Sequence, residues 1–265
     1  MVSPSSSVKG EIRVRLLPSA VGGRPELQYA NTFLINDAVA IDAGSLGFNG
    51  SPGQQSEVRE ILLTHSHADH IASLPMLLIN DYEPGRVPIR VWASEACEAS
   101  LRKHVFNDEI WPDLDRISTP EEPFIRWARI EPDVPIEVGG LRFTPIAVEH
   151  TVPTVAFLVE AEGVSIVIGG DSGPTTRLWE RARELSALRA VFLETSFSDE
   201  DAELARVSGH LRPKTFAAEV AKMPAGTPFY SVHAKPTHVD LIREQLMALQ
   251  LPNLHIVTPG QEYVF

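Results

Sequence analysis

The sequence predicts an α/β fold, a four-layer αββα sandwich formed as one domain over residues 1–265. Apolar runs of β period gather in two blocks, and each block is followed by segments of helical period. No linker, internal repeat or low-complexity tract lies between the blocks. Hydrophobic residues make up 43% of the chain and charged residues 22%, the balance of a globular protein that can bury a sizeable core.

The first block opens with strands at residues 11–16, 31–35 and 38–42, the last two joined by a tight turn at Asn36-Asp37, which reads as a meander. GSLGFNGSPGQQ, residues 44–55, is rich in glycine and serine and reads as a loop. A buried strand at 61–63 leads into a helix at 68–78, and a strand at 89–92 leads into a helix at 94–104. After an irregular, proline-containing stretch, the second block has strands at 124–130, 141–148, 155–160 and 164–168. Pro174 suits a first helical position and opens a helix to about Leu185. Strands at 191–193 and 229–232 are flanked by helices at about 213–222 and 239–249.

Charge narrows the function. With 23 Lys+Arg against 35 Asp+Glu the formal net charge is −12, and no Lys/Arg-rich run offers the basic face that a long nucleic acid needs. A small anionic substrate would require a local positive charge to offset this field, which points towards bound metal. Cys97 is the only cysteine, so such a site must use nitrogen and oxygen donors. The amino-terminal MVSPSSSVKG has no apolar leader region, and no 18-residue apolar stretch suggests a membrane span. The chain therefore reads as cytoplasmic; its oligomeric state is open, a homodimer included.

The densest chemical signal is THSHADH, residues 64–70, which holds three of the nine histidines. His65 and His67 lie at i and i+2, so in extended backbone their imidazoles point the same way. Asp69 and His70 follow at the start of the expected helix. One strand-to-helix turn thus offers two ligand pairs, which suits two metal ions better than one. A plain polar turn with Asp69 as helix cap would not need three imidazoles. Further ligands are expected at strand ends. His150 follows the run 142–148, Asp171 follows Ile166-Val167-Ile168-Gly169-Gly170 and has two oxygens with which to bridge, and His233 follows Phe229-Tyr230-Ser231-Val232.

HxHxDH followed at a distance by His, Asp and His is the pattern of the metallo-β-lactamase superfamily, and this chain fills all seven positions. Flavodiiron members carry glutamate at the second histidine, so the hydrolytic branch matches better. Within it the chain most resembles the class II 3′,5′-cyclic-nucleotide phosphodiesterases, from Asn31 to about Pro236. The matching segments are NTFLINDAVAIDAG, THSHADHIASL, TVAFLVE, IGGDSGP, VFLETSF, GHLRPKTF and VHAKP. It departs at Ala68, where the family usually has leucine, and at Leu74-Pro75-Met76, which interrupts an aliphatic run.

The resemblance implies a metallo-β-lactamase-like domain holding two divalent ions, zinc first, with manganese or iron admitted by the same donors. It implies a small cyclic nucleotide, cyclic AMP first, opened to the 5′-monophosphate. It also implies roles that spacing alone does not supply. His210 would protonate the leaving oxygen, Glu194 would orient His210, and Asp69 would hold the attacking water beside its ligand role.

The remaining histidines read as structural. His238 is expected in an exposed first helical turn with Thr237 as cap and Asp240 reaching back, His104 at the end of a charged helix and His255 in a late strand. Cys97 reads as a small core residue. The nearest rival function is a tRNA 3′-processing nuclease. Such enzymes carry an RNA-gripping arm between the equivalents of His150 and Asp171, which here are only 21 positions apart. A hydrolase of thioesters, lactones or sulfate esters is the second rival, and a metal-binding module without turnover the third.

Overall fold

Two mixed β-sheets, each of seven strands, form the centre of the molecule in a computed structural model that describes residues 10–265. The amino-terminal stretch read as lacking an apolar leader lies, except for Gly10, outside the described residues. The first sheet has the order β14-β1-β2-β3-β4-β5-β6. Its strands are β1 (Arg13–Leu16), β2 (Phe33–Ile35), β3 (Val39–Ile41), β4 (Glu60–Leu62), β5 (Arg90–Ala93), β6 (Arg126–Arg129) and β14 (Glu262–Val264). The second has the order β13-β12-β11-β10-β9-β8-β7. Its strands are β7 (Ile136–Val138), β8 (Leu141–Val148), β9 (Thr154–Ala161), β10 (Val164–Ile168), β11 (Leu188–Glu194), β12 (Phe229–Val232) and β13 (Leu254–Ile256).

Three apolar clusters separate four layers. The central one joins the inner faces of both sheets through residues such as Val14, Phe33, Phe143, Phe157 and Phe192, and the Phe33 and Phe192 rings meet edge to face at 5.6 Å. A second lies between the first sheet and the helices α2 (Ala68–Ile71), α3 (Leu74–Asp81) and α4 (Glu95–His104), and includes Cys97. Burial there pushes the Cys97 thiol up to about 12. The third lies under α6 (Arg177–Ala182), α8 (Pro213–Val220) and α9 (Val239–Ala248). Strands β9 to β11 alternate between two of these clusters: Val155, Phe157 and Val159 face inwards, Ala156 and Leu158 outwards. Such strands are buried on both faces, which is why they read as continuous apolar runs. The αββα prediction is met.

Several local expectations are corrected. The strand expected at 124–130 opens no second block. As β6 it pairs parallel with β5 at the edge of the first sheet, and β14 returns to that sheet's other edge beside β1. Periodicity reports that a strand exists, not which partner it takes. The helix expected at 68–78 is two. Pro75 has no N–H to continue the helical ladder, and the Ser73 amide and hydroxyl both donate to Ala43 O, at 3.1 and 2.7 Å. The loop at 44–55 contains a 3₁₀ turn, Leu46–Phe48, and the one-turn helix α1 (Pro52–Gln55), capped by Ser51. The helix expected from Pro174 begins at Arg177.

Thr237 does not cap α9. It lies in a 3₁₀ turn, Pro236–His238, while Asp240 binds Arg24 through both oxygens at 2.7 and 2.6 Å. His238 is exposed and pairs with Asp201 at 3.0 Å. Two further short helices, α5 (Leu114–Ile117) and α7 (Ala202–Ser208), were not expected. Among the described residues no helix is long and apolar enough to cross a membrane.

Candidate active site

Each sheet has a parallel half, β3-β4-β5-β6 in the first and β10-β11-β12-β13 in the second. β8 runs in the same direction as β10, since both are antiparallel to β9. Loops leaving the carboxyl ends of such strands converge on one edge, where open α/β sheets present their ligand-binding groups. Asp42 follows β3, the THSHADH turn follows β4, His150 follows β8, Asp171 follows β10, Glu194 ends β11 and His233 follows β12. Val155 N–H donates to Thr64 O at 3.1 Å and ties the second sheet to the turn after β4.

The seven clustered residues fall into two overlapping groups. His65, His67, His150 and Asp171 form one, and Asp69, His70, Asp171 and His233 the other; within each, one donor atom per residue lies within 4.8 Å of the rest. His67 Nδ1 and His150 Nε2 are 3.1 Å apart. Asp171 Oδ2 is 3.2 Å from His70 Nε2, 3.4 Å from His233 Nε2 and 3.9 Å from His65 Nε2, so this carboxylate stands between the groups. Asp69 Oδ2 is 3.4 Å from His233 Nε2. His65, His70, Asp171 and His233 are buried, while His67, His150 and Asp69 reach solvent.

The backs of the rings are already bound, which orients their fronts. His70 Nδ1–H donates to Asp42 Oδ2 at 2.6 Å. His65 Nδ1–H donates to the Thr64 hydroxyl at 2.9 Å, and that hydroxyl donates to Asp42. His150 Nδ1–H donates to Gly209 O at 2.9 Å. The Nε2 atoms of these three rings therefore face inwards: that of His150 meets His67 Nδ1 at 3.1 Å, and those of His70 and His65 stand 3.2 and 3.9 Å from Asp171 Oδ2. Of the buried atoms without a hydrogen-bond partner among the described residues, five belong to the clustered side chains: Nε2 of His65 and His70, both ring nitrogens of His233 and Oδ1 of Asp171. Orphaned polar atoms are costly in a folded interior, and here Nε2 of His65, His70 and His233 gather at 3.2–3.9 Å around Asp171 Oδ2. This nitrogen and oxygen donor set fits divalent ions.

Electrostatics agree. Burial and the neighbouring histidines lower the His65 and His67 imidazoles, and burial above all lowers His150, which favours the neutral, lone-pair-donating form of these three rings. Burial also pulls His70 down, but the Asp171 and Asp42 carboxylates outweigh it and raise it above the ordinary histidine value. Burial opposes ionisation of Asp171, yet His233 and His70 hold it well below the usual carboxylate range. The Asp171 carboxylate and the His70 ring thus favour each other's charged forms.

Beside both groups stands a dyad. Glu194 Oε1 accepts from His210 Nδ1 at 2.7 Å and from the Ser172 amide at 3.2 Å. Its Oε2 accepts from the Ser196 amide and hydroxyl at 2.9 and 2.8 Å and from the Leu211 amide at 3.2 Å. Five donors fix this fully buried carboxylate. The His210 ring lies 4.9 Å from His150 and 6.1 Å from His233. Burial lowers the His210 imidazole, but Glu194 outweighs it and raises it above its ordinary value, which favours the protonated form.

All nine residues singled out in the sequence thus meet at one edge, and His104, His238 and His255 do not join them. Asp42 and Thr64 were missed. Asp42 ends an apolar run much as Asp171 does, but was counted into its strand; its φ of +62°, rare for a non-glycine residue, marks it as held by its contacts. His233 is strained likewise, at φ +61°.

The residue profile of the family described as Beta-lactamase superfamily domain matches residues 39–234. Among curated proteins, ribonuclease Z of Mycobacterium bovis is 27% identical over 165 residues, covering 58% of this chain and 55% of the relative. Endoribonuclease ysh1 of Schizosaccharomyces pombe is 30% identical over 122 residues, covering 44% of this chain and 16% of the relative. The matched region thus spans about half of the first relative and a small part of the second. The crystal structure of unliganded yeast PDE1 superposes with a TM-score of 0.77 at 17% identity, over 96% of this chain and 99% of that one, a likeness of fold.

Proposed function

This chain belongs to the metallo-β-lactamase superfamily, a fold of metal-dependent hydrolases, and from that membership we propose that it is a phosphodiesterase that opens 3′,5′-cyclic nucleotides, cyclic AMP first. One observation carries the choice of substrate class: the His210–Glu194 dyad, 2.7 Å between Nδ1 and Oε1, set beside the two donor groups. A departing ribose alkoxide is a poor leaving group and needs a proton, whereas a thiolate does not. His65, His67, His150 and Asp171 would hold one divalent ion and Asp69, His70, Asp171 and His233 the other, with zinc the first candidate and manganese or iron compatible. When bound, the ions supply Lewis-acid activation of water and neutralise phosphoryl charge.

The chain's own groups do the rest. The Asp69 carboxylate, partly open to solvent, accepts a hydrogen bond from the attacking water, aims it in line with the ribose oxygen and passes the proton it loses to solvent, from which His210 is later reprotonated. As the new P–O bond forms and the P–O3′ bond breaks, His210 delivers its proton to O3′. Glu194 keeps the ring oriented and stabilises its charged form. The product is a nucleoside 5′-monophosphate.

The ribonuclease relatives favour a second reading, cleavage of an RNA phosphodiester by the same groups. Against a gripping arm of the tRNA-processing kind, β9 and β10 are joined by a two-residue turn, Glu162-Gly163, which leaves only a hairpin between His150 and Asp171. Metal-loaded protein should be incubated with cyclic AMP, 2′,3′-cyclic AMP, a pre-tRNA, bis(p-nitrophenyl) phosphate and a thioester. Turnover of cyclic AMP is expected, falling by about 10²–10⁴-fold in His210→Ala. Turnover of the thioester alone defeats the reading, and an unchanged His210→Ala rate defeats the acid assignment.

A further inference from the structure

The proposed reaction leaves one cation beside the site unused. Of the lysines in the described residues, Lys103 and Lys214 are exposed, Lys222 pairs with Glu219 at 2.7 Å, and Lys235 alone is half-buried with no carboxylate partner. In a chain of net charge −12, a half-buried lysine without a carboxylate partner is conspicuous. Its position is set by two loops. Lys235 lies two residues after His233, and its backbone N–H donates to Ser196 O at 3.1 Å, which binds it to the loop that follows Glu194. Its ammonium stands 5.9 Å from the centroid of the Phe197 ring, a cation–π arrangement. Phe197 in turn lies 5.5 Å from the His210 ring.

Phe197 is thus a platform between the dyad and a fixed positive charge. Resting on the acid assignment above, we propose that Lys235, held against Phe197, binds a non-bridging phosphoryl oxygen of the substrate and thereby restricts the site to anionic phosphoesters. A neutral thioester or lactone offers this ammonium a carbonyl oxygen but no anionic one, the weaker partner. The contact forms with substrate and transition state alike, so its loss falls on KM more than on kcat.

Metal-loaded wild type, Lys235→Met, Lys235→Arg, Phe197→Leu and the exposed control Lys214→Met are assayed with bis(p-nitrophenyl) phosphate, with 5′-AMP as competitive inhibitor. Lys235→Met is expected to raise KM and the 5′-AMP inhibition constant about 10-fold, the worth of one charge-assisted contact, with a smaller fall in kcat. Lys235→Arg retains most of the affinity, Phe197→Leu loses part of it, and added salt narrows the gap between wild type and Lys235→Met. A Lys235→Met enzyme with KM and inhibition constant within about twofold of wild type, or a Lys235→Arg enzyme as weak as Lys235→Met, overturns the assignment. In either case turnover of the phosphodiester by wild type leaves the proposed function standing. A wild type inert towards phosphodiesters overturns both.

Discussion

Asp42 touches no clustered centre directly, yet it sets two of the rings that do. Its carboxylate receives His70 Nδ1–H and, through the Thr64 hydroxyl, steadies His65 Nδ1–H. Replacing it with asparagine puts an NH2 where an acceptor is needed and frees the His70 ring to turn. Asp42→Asn is therefore expected to weaken metal affinity by about 10–100-fold, read by competition with a chromogenic chelator, with far-UV circular dichroism unchanged. Equal affinity in the variant would show that the ring orientations come from elsewhere. At this scale the seven clustered residues were legible in the sequence, because imidazoles and carboxylates after apolar strands are conspicuous, whereas His210 and Glu194 were legible only through the family resemblance, since His210 lies in a loop between two helices. Asp42 was not, because a carboxylate that orients a ring carries no spacing signature of its own.

The turn after β4 depends on a close approach between elements. A Cβ at Gly44 would stand 1.9 Å from Asp69 O and 2.7 Å from both Asn31 N and Asn31 O. These are backbone atoms engaged in hydrogen bonds, Asn31 N–H to Asp69 O at 2.8 Å among them, so nothing can yield without moving the start of α2. Gly44→Ala is expected to cost at least ~1–3 kcal/mol in urea unfolding, as overpacked sites do. Gly53→Ala, in α1 with its nearest neighbour 3.9 Å away, should cost little or nothing. Similar losses in the two variants would refute the close-approach account. Elements were legible where apolar period was strong, as in β8 to β10, and illegible where a few residues turn on one bond. Ser73 is such a case: its hydroxyl and amide are spent on Ala43 O, and Pro75 keeps α2 and α3 apart.

For the whole molecule, the two donor groups lie where the sheets meet, and the first group takes ligands from both: His65 and His67 from the first sheet's turn, His150 and Asp171 from the second. Occupying them links the halves of the sandwich in the native state and not in the unfolded one. Metal at about a hundred times its dissociation constant should add about 3 kcal/mol, so removing it with a chelator should lower Tm by roughly 5–10 °C, reversed by adding zinc back. A Tm indifferent to chelator and zinc would mean that these donors do not hold an ion in the folded protein.

By itself the sequence determined the layer architecture, the seven clustered residues and the family pattern they fill, because each rests on local information: period, strand-end position and residue chemistry; His210 and Glu194 came from the resemblance that this pattern opened. Tertiary structure decided what local information cannot contain. It placed β6 and β14 at opposite edges of the first sheet, since strand pairing joins residues far apart in the chain. It brought Asp42 behind His70 and set Lys235 on Phe197 beside His210, since distances between loops follow from how sheets twist and pack. It also left Oδ1 of Asp171 and the inward ring nitrogens without partners, a state visible only once every neighbour is in place.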